Sequence, residues 1–197
     1  NGVDVCFMNP GTSEMQFVAA ADKEPGIRCV LGLFEGVVSG CADGYGRMAE
    51  KPAVTLLHLG PGLGNALANF HNAERSNTSI VNVVGDHATY HKQFDAPLAS
   101  DVAAYAKPVS GWIGEIENAK DVPAMTLKAI RASLQAPGKI ATLIVPADSA
   151  WSTSIAPSTE KVSRTAPSLV DEAAIKSAAA GLSSGEPAVM LIRGAAL

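Results

Sequence analysis

The chain has 197 residues, 47% hydrophobic and 17% charged, with a net charge of −4 and a pI near 5.5. That is enough apolar material for one generous domain, or one domain and part of another, and the acidic balance with scattered Lys and Arg excludes a basic nucleic-acid-binding surface. No apolar run approaches the roughly 20 residues of a membrane span, and the three cysteines form no CxxC pair, which sets a reduced, cytoplasmic protein against a disulfide scaffold.

A strand over Val3 to Met8 runs into NPGTSE, Asn9 to Glu14. Ligands in open α/β sheets lie beyond the carboxyl ends of strands. Pro10 and Gly11 shape a turn there, and Thr12 or Ser13 is placed to cap a helix over Glu14 to Ala21. The ordinary capped turn is the competing reading.

A second strand, Ile27 to Leu33, ends in GLFEGVVSGCADGYGR. Glu35 is the only acid near the start of this small, apolar segment. A helix over Gly36 to Glu50 puts Gly36, Gly40 and Gly44 on one stripe. Each glycine costs a helix up to about 1 kcal/mol relative to Ala, so a close neighbour is expected on that side. Tight packing on the chain's own sheet explains the glycines; it does not explain Glu35.

The strand Ala53 to Leu59 leads to HLGPGLGN, read as a glycine-rich loop before a helix over Leu63 to Arg75. Gly60, Gly62 and Gly64 have the wrong spacing for a dinucleotide fingerprint. They still allow a ligand to approach the backbone at Gly60, Pro61, Gly62 and Asn65. His58 stands at the strand end, either as a structural residue or as an acid/base. The strand Ser79 to Val84 opens a long polar loop, Gly85 to Asp101. Asp86, His87 and His91 would ligate a metal only from a helix, and the composition here is that of a loop over a cleft.

A strand over Val109 to Trp112, a helix over Ala119 to Gln135 and a strand over Ile140 to Val145 complete the pattern. Runs such as AVTLLHL and IATLIVP are apolar throughout, as expected of strands buried on both faces of a parallel sheet. The fold class is therefore α/β, an open, mainly parallel sheet with helices on both faces. Residues 151–168 are rich in Ser, Thr and Pro and read as a linker. Residues 169–197 carry an amphipathic helix and a strand, Ala188 to Ile192, and read as the truncated start of a second α/β domain. The chain reads as a piece of a longer polypeptide.

Taken in order, strand–NPGTSE, the strand ending before Glu35 with A-D-G-Y-G-R and K-P after it, strand–HLGPGLGN–helix, and a last strand ending in VPAD resemble the N-terminal pyrimidine-binding (PYR) domain of thiamin-diphosphate enzymes of the acetolactate synthase and benzoylformate decarboxylase type. The resemblance covers about Val3 to Asp148, which sets the PYR domain at residues 1–150. It implies thiamin diphosphate as cofactor and a 2-oxo acid as substrate. The glutamate matching Glu35 hydrogen-bonds N1′ of the aminopyrimidine and favours the tautomer that removes the C2 proton. Pro10, Gly11, Gly60, Pro61, Gly62 and Asn65 border the cofactor, while Thr12, His58 and His87 face substrate.

His58 matches a catalytic histidine of the decarboxylase, whereas the run GPG is more synthase-like. Acetolactate synthase-like decarboxylation and carboligation, simple decarboxylation, and a non-catalytic interaction subunit are the alternatives. The family holds diphosphate and Mg²⁺ on a separate C-terminal domain of a partner subunit. The resemblance therefore implies a homodimer or homotetramer, with no turnover by this chain alone.

Overall fold

In the computed structural model, residues 2–166 and 168–192 are described. The chain divides into two compact units, Asn1–Thr165 and Ala166–Leu197. In the first unit six strands form one parallel sheet: β1 (Val5–Asn9), β2 (Arg28–Leu31), β3 (Ala53–His58), β4 (Ile80–Asp86), β5 (Trp112–Glu115) and β6 (Ile140–Pro146). Their order is β2-β1-β3-β4-β6-β5. From β1 the chain steps outward to β2, then returns to place β3 on the other side of β1. The strand order thus reverses between β1 and β3, and in open α/β sheets such a reversal opens a crevice at the carboxyl ends.

Alternate residues of each strand feed two cores. Leu57, Ile80, Val84 and Ile144 pack with Val38, Leu63 and Phe70 on one face. Leu56, Val83 and Leu143 pack with Phe17, Met125 and Ile130 on the other. The first face is covered by α2 (Glu35–Ala49), α3 (Leu59–Arg75) and α4 (Val102–Ala106); the second by α1 (Met15–Ala21), α5 (Val122–Ser133) and α6 (Ala147–Trp151). One buried polar line crosses the sheet. Thr55 donates to Asn82 Oδ1 at 2.8 Å, and Asn82 Nδ2 donates to Thr142 Oγ1 at 3.0 Å. These residues are register partners on β3, β4 and β6. A one-residue slip would leave each group without a partner in a dry core, so the line helps to fix the register.

Several boundaries differ from the sequence reading, each for a local reason. In the expected loop HLGPGLGN, His58 ends β3 and the residues from Leu59 to Asn65 are the first two turns of α3. Leu59 adopts φ +54°, a left-handed turn that carries β3 directly into the helix. Pro61 is tolerated in the first turn, where its missing N–H would have had no intrahelical partner. The strand expected over Val109 to Trp112 lies at Trp112–Glu115, because Gly111 N–H donates to Ile140 O at 3.0 Å and sets the pairing with β6 only from there. Gly85 and Asp86 extend β4 rather than opening the loop. Neither Thr12 nor Ser13 caps a helix; Glu14 reaches back instead, and Gly11 N–H donates to its Oε2 at 2.7 Å.

The second unit holds α7 (Glu172–Leu182), which has no buried residue. The strand expected over Ala188 to Ile192 does not form. Among the described residues no strand lies beside it, and Val189 and Leu191 are exposed.

Candidate functional site

The carboxyl ends of β1, β2 and β3 bring five of the expected site residues together. Asn9 Nδ2 donates to Gly32 O at 2.7 Å and ties the ends of β1 and β2. At Gly11 the backbone passes under the His58 ring, and a methyl group there would collide with it. Glycine is required at this close approach. His58 ends β3, held by the sheet pairing on one side and by the Leu59 turn on the other.

Its ring is anchored by a residue the sequence reading treated only as the start of a helix. Glu14 Oε2 lies 2.8 Å from His58 Nδ1 and also accepts the Gly11 N–H. Glu14 is 2% exposed. Burial raises its pKa above the ordinary value of 4.5, and the Gly11 and His58 contacts oppose that rise without cancelling it. The other oxygen, Oε1, is buried without a partner and lies against Gly85, where any side chain would overlap it. With Glu14 ionised, Nδ1–H donates to the carboxylate, which fixes the tautomer and leaves Nε2 as the ring nitrogen free to take a proton.

Glu35 is built differently. It opens α2 without a side-chain cap, next to Phe34 in extended conformation, where a carboxylate is favoured by the helix dipole. Asn65 Nδ2, at the end of the second turn of α3, donates to Glu35 Oε2 at 3.0 Å. A Cβ at Gly62 would stand 3.3 Å from Glu35 Oε1 and 3.6 Å from His58 Cβ. Gly62 thus lies against both the Glu35 and the His58 positions. Glu35 is only half-buried, and the apolar residues around it, Leu33, Phe34 and Val37, are exposed.

Of the α2 glycines Gly40 alone faces α3, while a Cβ at Gly36 would meet Phe34. Asn69 Nδ2 donates to Gly36 O at 2.6 Å, and a Cβ at Gly40 would sit 3.3 Å from Asn69, while Gly44 is open.

Other expected residues stand apart. Pro10 is half-buried and Thr12 is exposed at the turn after β1. Gly60 lies in α3 but turns to Ser100, which a methyl group there would strike; Pro61 beside it is exposed. His87 is half-buried with its Nε2 unpaired, and its ring centre lies 5.6 Å from that of His91. Among the described residues no group of three or more His, Cys, Asp or Glu is arranged to hold a metal. At the far end of the sheet Lys92 bridges Asp86 at 2.7 Å and Glu115 at 2.5 Å. Burial works against its ammonium, but the two carboxylates outweigh it and raise the pKa.

Comparison with known proteins agrees with the fold. The family described as thiamine pyrophosphate enzyme, N-terminal TPP binding domain, matches residues 1–107. The chain is 56% identical to a Mycobacterium tuberculosis protein named as an acetolactate synthase large subunit, IlvX, across 98% of this chain and 37% of that one. It is 33% identical to a benzoylformate decarboxylase of Pseudomonas aeruginosa across 75% of this chain and 28% of that one. The thiamine diphosphate-dependent 4-hydroxybenzoylformate decarboxylase of Rhodococcus jostii RHA1 superposes with a TM-score of 0.80 at 26% identity, over 93% of this chain and 35% of its own. A thiamin diphosphate-dependent enzyme structure from Mycobacterium smegmatis gives a TM-score of 0.79 at 28% identity, over 92% and 34%. The chain spans roughly a third of the length of these proteins.

Proposed function

This chain belongs to the thiamine pyrophosphate enzyme family through its N-terminal TPP-binding domain, and on that premise we propose that it holds the aminopyrimidine half of thiamin diphosphate in an enzyme that decarboxylates a 2-oxo acid. The observation that carries the proposal is the cluster Gly11, Glu14, His58, Gly62, Glu35 and Asn65 at the reversal of strand order. The residues fit the group on two grounds. Gly62 lies against both Glu35 Oε1 and His58, and Asn65 holds the other Glu35 oxygen so that Oε1 is free for a ligand nitrogen.

Thiamin diphosphate, when bound, supplies the electron sink that lets a 2-oxo acid lose carbon dioxide. Glu35 holds a proton at N1′ of the aminopyrimidine. That task is favoured by a drier surrounding than this chain alone gives the residue. A second subunit laid over Leu33, Phe34 and Val37 would supply it. Glu14 orients His58 and sets which nitrogen carries the proton, and His58 returns a proton to the substrate carbon after carbon dioxide leaves. Thr12 and His87 are retained as substrate neighbours and Pro10, Gly60 and Pro61 as backbone near the cofactor. Mg²⁺ and the diphosphate are assigned to a further domain of the whole protein, beyond residues 1–150 of the PYR domain, the linker 151–168 and the central-domain start 169–197. The same division makes the chain alone inactive and the working enzyme a homodimer or homotetramer.

A second reading, carboligation to a second carbonyl compound as in an acetolactate synthase, is favoured by the 56% identity to the protein of that name. The two readings differ in what becomes of the carbon once carbon dioxide has left, and His58 discriminates them. In the intact enzyme His58→Ala is expected to slow aldehyde release by about 100-fold, the scale of one general acid/base. Unchanged turnover, with a hydroxyketone as product, would move the assignment to the synthase.

A further inference from the structure

Glu35 is the first residue of α2, and its carboxylate is held by Asn65. The first turn of a helix has unsatisfied N–H groups and few internal ties, so a side chain carried there stands wherever that turn is fixed. Within α2 the turn closes on itself. Phe34 O accepts the N–H of Val37 at 2.9 Å and of Val38 at 3.1 Å. The hydroxyl of Ser39, which is fully buried, lies 2.9 Å from Glu35 O and 3.1 Å from Gly36 O. These contacts are local and leave the turn able to shift as a unit.

The backbone contact that crosses to another element comes from Asn69 of α3, whose Nδ2 donates to Gly36 O at 2.6 Å. A carbonyl inside a helix already serves the N–H four residues on, and the Ser39 hydroxyl is a second donor to the same oxygen. Gly36 O therefore has no unmet need for Asn69, and the bond fixes position rather than satisfying an orphaned group. Gly62, Asn65 and Asn69 follow at i, i+3 and i+7 and share one stripe of α3. A Cβ at Gly62 would stand 3.3 Å from Glu35 Oε1, and a Cβ at Gly40 would stand 3.3 Å from Asn69 Nδ2. Glycine thus occupies both places where a side chain would crowd these contacts. Asn65 holds the carboxylate, and Asn69, one turn further on, holds the backbone that carries it.

We propose, resting on the reading of Glu35 as the group at N1′, that Asn69 is a positioning residue for Glu35: through the Gly36 carbonyl it locks the first turn of α2 against α3 and sets where the carboxylate stands. A misplacement of about 1 Å at a reacting group can cost about 100-fold in rate. Asn69 is half-buried, so its truncation is expected to leave the fold intact.

The test compares Asn69→Ala and Asn69→Leu, which keeps the volume without the donor, in the intact protein. The first readout is amide hydrogen exchange by mass spectrometry without cofactor. Exchange over residues 35–41 should quicken about five-fold, the scale of one neutral hydrogen bond, while residues 42–49 of the same helix keep the wild-type rate; a general loss of packing would quicken both. The second is proton exchange at C2 of bound thiamin diphosphate. It should slow about ten-fold in either variant, and adding Asn69→Ala to Glu35→Gln should slow it no further, because residues that act through one group are not additive. If Asn69→Ala does not fold, Asn69→Leu decides. Unchanged amide exchange over 35–41 in a folded variant, equal quickening along the whole helix, or additive slowing in the double variant would overturn the proposal. Wild-type C2 exchange in the Asn69 variants beside slow exchange in Glu35→Gln would overturn it alone. Wild-type C2 exchange in Glu35→Gln would overturn the reading of Glu35 and the proposal with it.

Discussion

Two carboxylates at the same end of the sheet are finished to different degrees. Glu14 is completed within the chain: it is buried, holds the Gly11 N–H and His58 through one oxygen, and rests on Gly85. Glu35 is held by Asn65 alone, is half-buried, and stands among exposed Leu33, Phe34 and Val37. Burial is what gives a carboxyl an unusual proton affinity. One region is therefore closed within the chain, and the other stays open at its surface.

The comparison breaks if Glu35 proves dispensable. In the intact enzyme Glu35→Gln should lower kcat by about 1,000-fold, within the range for a single proton-transfer group, with thiamin diphosphate still bound; steady-state assays and a binding titration read the two separately. Glu14→Gln should cost less, about 30-fold, because the amide still orients the His58 ring but cannot stabilise its charged form; a changed pH profile of kcat, rather than a changed KM alone, distinguishes this from a general structural loss.

Gly85→Ala tests the finished region through stability. The new methyl overlaps Glu14 Oε1, and the displacement should cost about 1–3 kcal/mol in denaturant unfolding. Asn65→Ala sharpens the other side. It removes one hydrogen bond to a half-buried carboxylate from an exposed side chain, so unfolding should change by less than about 1 kcal/mol, while turnover falls several-fold more than stability would suggest.

The smallest effect is in the pH dependence. Burial raises the Glu14 pKa above 4.5 in the fold, so above that pH the folded chain binds more protons than the unfolded one. This contribution to stability is present at low pH and is lost as pH rises from 4.5 through the folded value. Relative to the wild type, Glu14→Gln should therefore gain stability steadily over that window.

The sheet was legible because its central strands are largely apolar, and the candidate site's place because NPG, Glu35 and His58 each end or closely follow a strand. The Glu14–His58 pair was not. Its members are 44 residues apart, and Glu14 reads locally as the first residue of a helix; only its position in NPGTSE, at a strand end, could have raised the question. The start of α3 was missed for a different reason. Glycines argue for a loop by propensity, but here Gly60 and Gly62 are spent on close approaches to Ser100 and to Glu35, and packing overrides propensity. The strand expected at Ala188 to Ile192 had the right composition and no neighbour to pair with among the described residues.

The contrast between the two acids is tested most directly by proton exchange at C2 of bound thiamin diphosphate, followed by NMR after transfer of the intact, loaded protein into D₂O. The account predicts that Glu35→Gln slows this exchange by about 1,000-fold and that Glu14→Gln leaves it at the wild-type rate. Wild-type exchange in Glu35→Gln, or an equal loss in both variants, would contradict it.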